Sequence, residues 1–164
     1  MLTVKQLQQF ENQIAKIQDR PVSIVKIEEF PNDYDKVKSM YNYQTNEILI
    51  NNNLIFETHD IELVGIIFHE SRHAFQWYQI NNLQNAVESA EILDVWKKEF
   101  LEYEQHSANM NDSGYYLKSI EIDAVAYADL NLRSMIKVGL EIIPEMKSYV
   151  EIRQQEILSK EKIF

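Results

Sequence analysis

Two histidines four residues apart, with a glutamate beside the first, give the stretch His69-Glu70-Ser71-Arg72-His73 the residue types and spacing of a metal centre. On a helix of about 3.6 residues per turn, His69 and His73 project from one face, one turn apart. Imidazoles placed in this way can take adjacent corners of a tetrahedron around a single zinc ion. Glu70 lies about 100° around the helix, beside such a metal and not on it. There a carboxylate can accept a proton from zinc-bound water. The chemistry implied is metal-assisted peptide hydrolysis with Glu70 as general base. Ile66, Ile67 and Phe68 precede the first histidine and Ala74 and Phe75 follow the second, an apolar sheath that packs the helix into a core and keeps the metal surroundings dry.

Catalytic zinc takes three protein ligands and leaves one position open for water. The metzincin arrangement would set glycine at 76 and histidine at 79, but the sequence has Gln76 and Gln79, which excludes that class. His59 falls at the start of the same helix, about 15 Å from His69 along the axis, and cannot reach. His106, next to Glu104 and Gln105, reads as a solvated surface residue. A carboxylate on a later helix remains. The stretch Glu121-Ile122-Asp123-Ala124-Val125-Ala126-Tyr127-Ala128 places three alanines within five residues, so its helix can approach a neighbour closely. Glu121 shares a face with Ala124, Val125 and Ala128. An unpaired charge on that small, apolar stripe is costly, and a bound metal ion would remove the cost. The competing reading pairs Glu121 with Lys118 three residues before it. Asp123 points about 200° away, either as a supporting acceptor or as a surface group.

Taken together, the HExxH stretch and the Glu121–Ala128 stretch resemble the gluzincin branch of zinc metallopeptidases, and more narrowly small proteins of the ImmA/IrrE kind. The resemblance covers roughly residues 46–130 and implies Zn²⁺ held by His69, His73 and Glu121, with Glu70 as the catalytic base. In those families the downstream helix carries Glu-x-x-Ala-(Asn/Asp)-x-Phe-Ala. Here Ala124 and Ala128 match, Tyr127 stands at the aromatic position, and Val125 departs from the Asn or Asp that would hydrogen-bond a ligand. The resemblance also implies a protein or peptide substrate, and a strand at 47–51 on the cleft edge whose free backbone groups would pair with it. Tyr43, Tyr115, Tyr116 and Tyr127 are the candidate oxyanion donors. Arg72 reads as structural, paired with a nearby acid, and Phe75 and Trp77 as core.

At 164 residues the chain is expected to form one domain, 1–164, with a substantial core. Its net charge of −10 argues against a general nucleic-acid binder, which needs clustered Lys and Arg, and suits simple solubility. Two other functions stay open: an inactive binding protein on a zincin scaffold, and an acidic interaction protein. The absence of cysteine removes disulfides and thiolate ligands. The longest apolar run, 64–68, is too short to span a bilayer, and no secretory signal is visible, so no membrane association and a cytoplasmic location are expected.

Apolar spacing predicts helices over 3–19, 60–79, 83–106, 115–138 and 144–160, with Thr58 or Asp60 capping the second. The β-branched run 22–27 and the segment 46–51 read as strands, and 109–114 as a loop. The expected fold is helix-dominated α+β, a minimal zincin-like domain. It has a small sheet of two to four short strands, and the motif helix packs on a downstream glutamate helix.

Overall fold

A computed structural model describes residues 2–34, 36–106 and 113–164 of the chain. Helix α1 (Val4–Ile17) opens with a capping box. The Thr3 side chain accepts from the Gln6 backbone, and the Gln6 side chain accepts from the Thr3 backbone. Strands β1 (Ile24–Glu28), β2 (Ser39–Asn42) and β3 (Glu47–Asn51) follow, then a single turn of helix, α2 (Asn52–Ile55). The remaining helices are α3 (Asp60–Asn81), α4 (Ala90–His106), the short α5 (Ser113–Tyr116), α6 (Ser119–Ile136) and α7 (Pro144–Lys160). The fold is thus helix-dominated α+β with a three-stranded mixed sheet.

The sheet order is β1-β3-β2, with β3 parallel to β1 and antiparallel to β2. Strand 47–51 therefore sits in the centre, both edges paired, and is not the free edge that the resemblance implies. Its inward Ile48 and Ile50 are buried, so this apolar strand takes the protected position. The edge falls to β2, where Ser39 lies opposite Ile50 and Asn42 opposite Glu47. Its sequence, Ser-Met-Tyr-Asn, has the half-polar character that an edge tolerates. Asn46, in the left-handed region at φ 54°, closes the β2–β3 turn, a conformation that asparagine accepts more readily than most residues.

Leu7 and Ile14 of α1, Ile48 and Ile50 of β3, Leu63, Ile67 and Phe68 of α3, Tyr127 and Leu132 of α6, and Val150 and Ile157 of α7 share one core. A smaller cluster joins Ile80, Leu93, Trp96, Phe100 and Ile120. Ala124, Ala126 and Ala128 are all fully buried, and α6 packs closely along α3 as the alanine run predicts. Gly65 serves the same approach: a Cβ there would come within 3.2 Å of Leu132 Cδ1 and 3.3 Å of Leu140 Cδ2.

Several expected boundaries move. His59 occupies the N-cap of α3 without a side-chain bond; Thr58 Oγ1 instead donates to the Leu54 carbonyl, and Asp60 Oδ1 accepts from the Leu2 backbone. The predicted helix 83–106 starts only at Ala90, after a 3₁₀ turn at Leu83–Asn85. The predicted helix 115–138 breaks at Leu117–Lys118 into α5 and α6, and α6 ends at Ile136 because the next residue, Lys137, has a φ of 61° that cannot continue a helix. Of the expected loop 109–114, residues 109–112 lie outside the described residues, as does the side chain of His106. No helix among the described residues is long and apolar enough to cross a membrane.

Candidate metal centre

Helix α3 runs through the middle of the molecule, so most of its turns are buried, polar residues included. His69 and His73 emerge from its one side that meets a cleft, their rings edge to face with centroids 4.8 Å apart. Directly opposite, α6 presents Glu121 in its first turn. His69 Nε2 lies 3.3 Å from Glu121 Oε2, His73 Nε2 lies 3.5 Å from Glu121 Oε1, and the two Nε2 atoms are 3.1 Å apart. A tetrahedral ion with bonds of about 2.0–2.1 Å sets its ligand atoms about 3.3–3.4 Å apart. The three side chains thus already stand at the separations one ion requires, and they could hold a metal. Among the described residues no other group of three such side chains does so.

The chemistry of these atoms agrees with the geometry. Glu121 Oε1 is buried without a hydrogen-bond partner, an expensive state for a carboxylate oxygen unless a cation satisfies it. Burial alone would raise the Glu121 carboxyl. The positive field of His73 and the bond and charge of His69 outweigh burial and hold it down to about 2, helped by a bond from Tyr115. Burial likewise opposes a charge on His69, yet the bond to Glu121 and the nearby carboxylate charges raise that imidazole above its ordinary value. The anionic glutamate, not its acid, is the form this pocket favours. His69 remains 24% exposed toward the cleft, which leaves an approach for solvent or substrate.

Glu70 is only 4% exposed, and one oxygen, Oε1, accepts from the Ser39 hydroxyl at 2.6 Å. Ser39 belongs to the edge strand β2, so the carboxylate is aimed by the same strand that borders the cleft. The cleft has a volume of about 1210 Å³, and its walls include Met40, Tyr41, Phe100, Tyr115, Tyr116 and Val125 beside the three metal-ligand candidates and Glu70. Of the tyrosines considered as oxyanion donors, Tyr43, Tyr115 and Tyr116 line the cleft. Tyr127 does not: it lies in the core with its ring 4.8 Å from the Arg72 guanidinium. His59 is exposed at the far end of α3, away from the centre.

Arg72, between the two histidines in sequence, is fully buried. It donates to both oxygens of Asp123 and both of Glu161. Asp123 is therefore a buried acceptor and not a surface group. It also binds Arg153 Nε at 2.7 Å, and Arg153 continues to Glu88 and Glu156. Two residues of the site escaped sequence reasoning. Ser39 sends no local signal, because its contact spans 31 residues. Gln76 does: it stands one turn beyond His73 on the same face, and its Oε1 lies 2.9 Å from His73 Nδ1.

Comparison with known protein families, curated proteins and solved structures returns no match for this chain. Its chemistry has to be read from the centre itself.

Proposed function

We propose that this protein is a zinc-dependent metallopeptidase. His69, His73 and Glu121 would hold the ion, a two-imidazole, one-carboxylate set of the kind catalytic zinc sites use. When bound, zinc supplies an acidified water and polarises the scissile carbonyl. Glu70, next to His69 in sequence and lining the same cleft, would take the water's proton and return it to the leaving amine. The Ser39 hydroxyl occupies one oxygen of Glu70 and would leave the other for the proton transfer. Tyr115, which lines the cleft and bonds Glu121, is the donor we assign to developing negative charge. The outer edge of β2 borders the cleft, and its backbone groups suit pairing with an extended peptide.

The observation that carries this reading is the convergence of three ligand atoms, one of them an orphaned buried carboxylate oxygen, with a second carboxylate alongside. Glu70→Gln should retain one zinc per chain and lose cleavage of an unbiased peptide library, whereas His73→Ala should lose both. A Glu70→Gln protein that cleaves as fast as wild type refutes the assigned base.

A further inference from the structure

We propose that Gln76 sets His73 as a ligand, holding its imidazole in the tautomer that carries the proton on Nδ1 and leaves the Nε2 lone pair facing Glu121 and His69. The polarity of this arrangement is forced from its far end. Asp123 is 1% exposed and accepts from Arg72 Nε at 2.7 Å, Arg72 Nη2 at 3.0 Å and Arg153 Nε at 2.7 Å. With two guanidinium groups on it, this carboxylate is ionised and can only accept. Gln76 Nε2 lies 2.7 Å from Asp123 Oδ2 and 2.9 Å from the Ile120 carbonyl oxygen. Neither neighbour has a proton to give, so that end of the amide must be the NH₂. The other end, the carbonyl Oε1, then faces His73 Nδ1 at 2.9 Å, and a carbonyl only accepts. The proton must therefore sit on Nδ1.

Free neutral histidine in water favours the opposite tautomer, with its proton on Nε2, which would block that nitrogen as a ligand. Gln76 is fully buried, so water cannot take over its bond. A ligand's other ring nitrogen usually finds its partner directly on a carboxylate, a carbonyl or water. Here the support is relayed: α6 supplies Asp123, α3 supplies the glutamine that reads it, and the imidazole one turn back receives the result. Val125, at the position where a hydrogen-bonding residue would support a ligand, is thereby relieved of the task. The effect on metal affinity rests on the zinc reading; the tautomer itself does not.

The test begins with metal-free, nitrogen-labelled wild type at a pH where the rings are neutral. A long-range proton–nitrogen correlation spectrum should show His73 entirely as the Nδ1–H form. Gln76→Leu should move it toward Nε2–H and weaken zinc binding, measured by chelator competition, about 10–100-fold. Gln79→Leu, at a buried glutamine on the same helix whose side chain accepts from the Val87 backbone, should change neither. A wild-type His73 with its proton on Nε2, or an unaltered tautomer in Gln76→Leu, overturns the proposal even if zinc binds. Equal zinc affinity in both proteins also overturns it and leaves the metal site standing. The predicted tautomers without zinc binding in either protein support the relay and remove the metallopeptidase reading instead.

Discussion

Zinc should raise the melting temperature of this protein, and Glu121→Gln should abolish the rise. The ion would join α3 to α6, the helix pair with the most extensive packing, at ligand separations of 3.1 to 3.5 Å that need little adjustment. At about a hundredfold excess over its Kd, a ligand that binds only the native state adds about 2.7 kcal/mol. For a chain of this length each kcal/mol moves Tm by about 2–4 °C, so the rise is about 5–11 °C. Residual binding to His69 and His73 in the unfolded chain trims this figure, because that pair is local while Glu121 is far downstream. In the metal-free state Glu121 Oε1 has no hydrogen-bond partner. The pocket nevertheless favours the anion, whose pKa the two imidazoles hold down to about 2, so a neutral amide forfeits that pairing and lowers the metal-free Tm at neutral pH. Differential scanning calorimetry with and without zinc reads both effects. A zinc-induced rise that survives in Glu121→Gln, or none in wild type, refutes the assignment of this carboxylate.

Asp123→Asn should destabilise by about 3–5 kcal/mol, read from urea midpoints, because Arg72 and Arg153 each lose a buried anionic partner. A change below about 1 kcal/mol would show that Glu161 and Glu88 suffice for the two cations. Burial pushes the Tyr41 hydroxyl from 10.0 up to about 12, with Arg20 opposing and Glu11 assisting. Its folded pKa is raised, so its stabilisation is complete below 10 and is lost as pH climbs toward 12. Tyr41→Phe should flatten stability across that window, and an unchanged slope contradicts the assignment. Gly139→Ala should destabilise by about 1–3 kcal/mol, since its Cβ would fall 2.6 Å from Oδ1 of the buried Asp129. An alanine variant as stable as wild type would mean that Asp129 and Arg133 can shift freely.

The site was legible where its information is local. His69, Glu70 and His73 sit within one helical turn and a half, and Glu121 betrayed itself as a charge on an alanine stripe. The strands expected at 22–27, from a β-branched run, and at 46–51 form as β1 and β3, and Pro144 opens α7. What stayed hidden depends on contacts distant in sequence. β2 has no β-branched residue and forms because β3 offers it a partner. The break at Leu117–Lys118 lies inside an apolar pattern that continues smoothly across it; Glu99 of α4 receives the Ser119 and Ile120 amides where α6 begins. The central place of β3 could not be read either, since strand order is set by what covers each edge. Gln76 was in plain view one turn past His73, but its partner on α6 appears only in three dimensions.

Every candidate ligand rides on a single seam, the alanine-lined contact between α3 and α6. That seam is also the centre of the main core, so it has no separate hinge along which to breathe. An ion held there would leave by the cleft that exposes His69, with the two helices still packed. Its exchange rate would then report how readily water and chelator enter that opening, and the helices on either side would keep the ligand set assembled for the next ion.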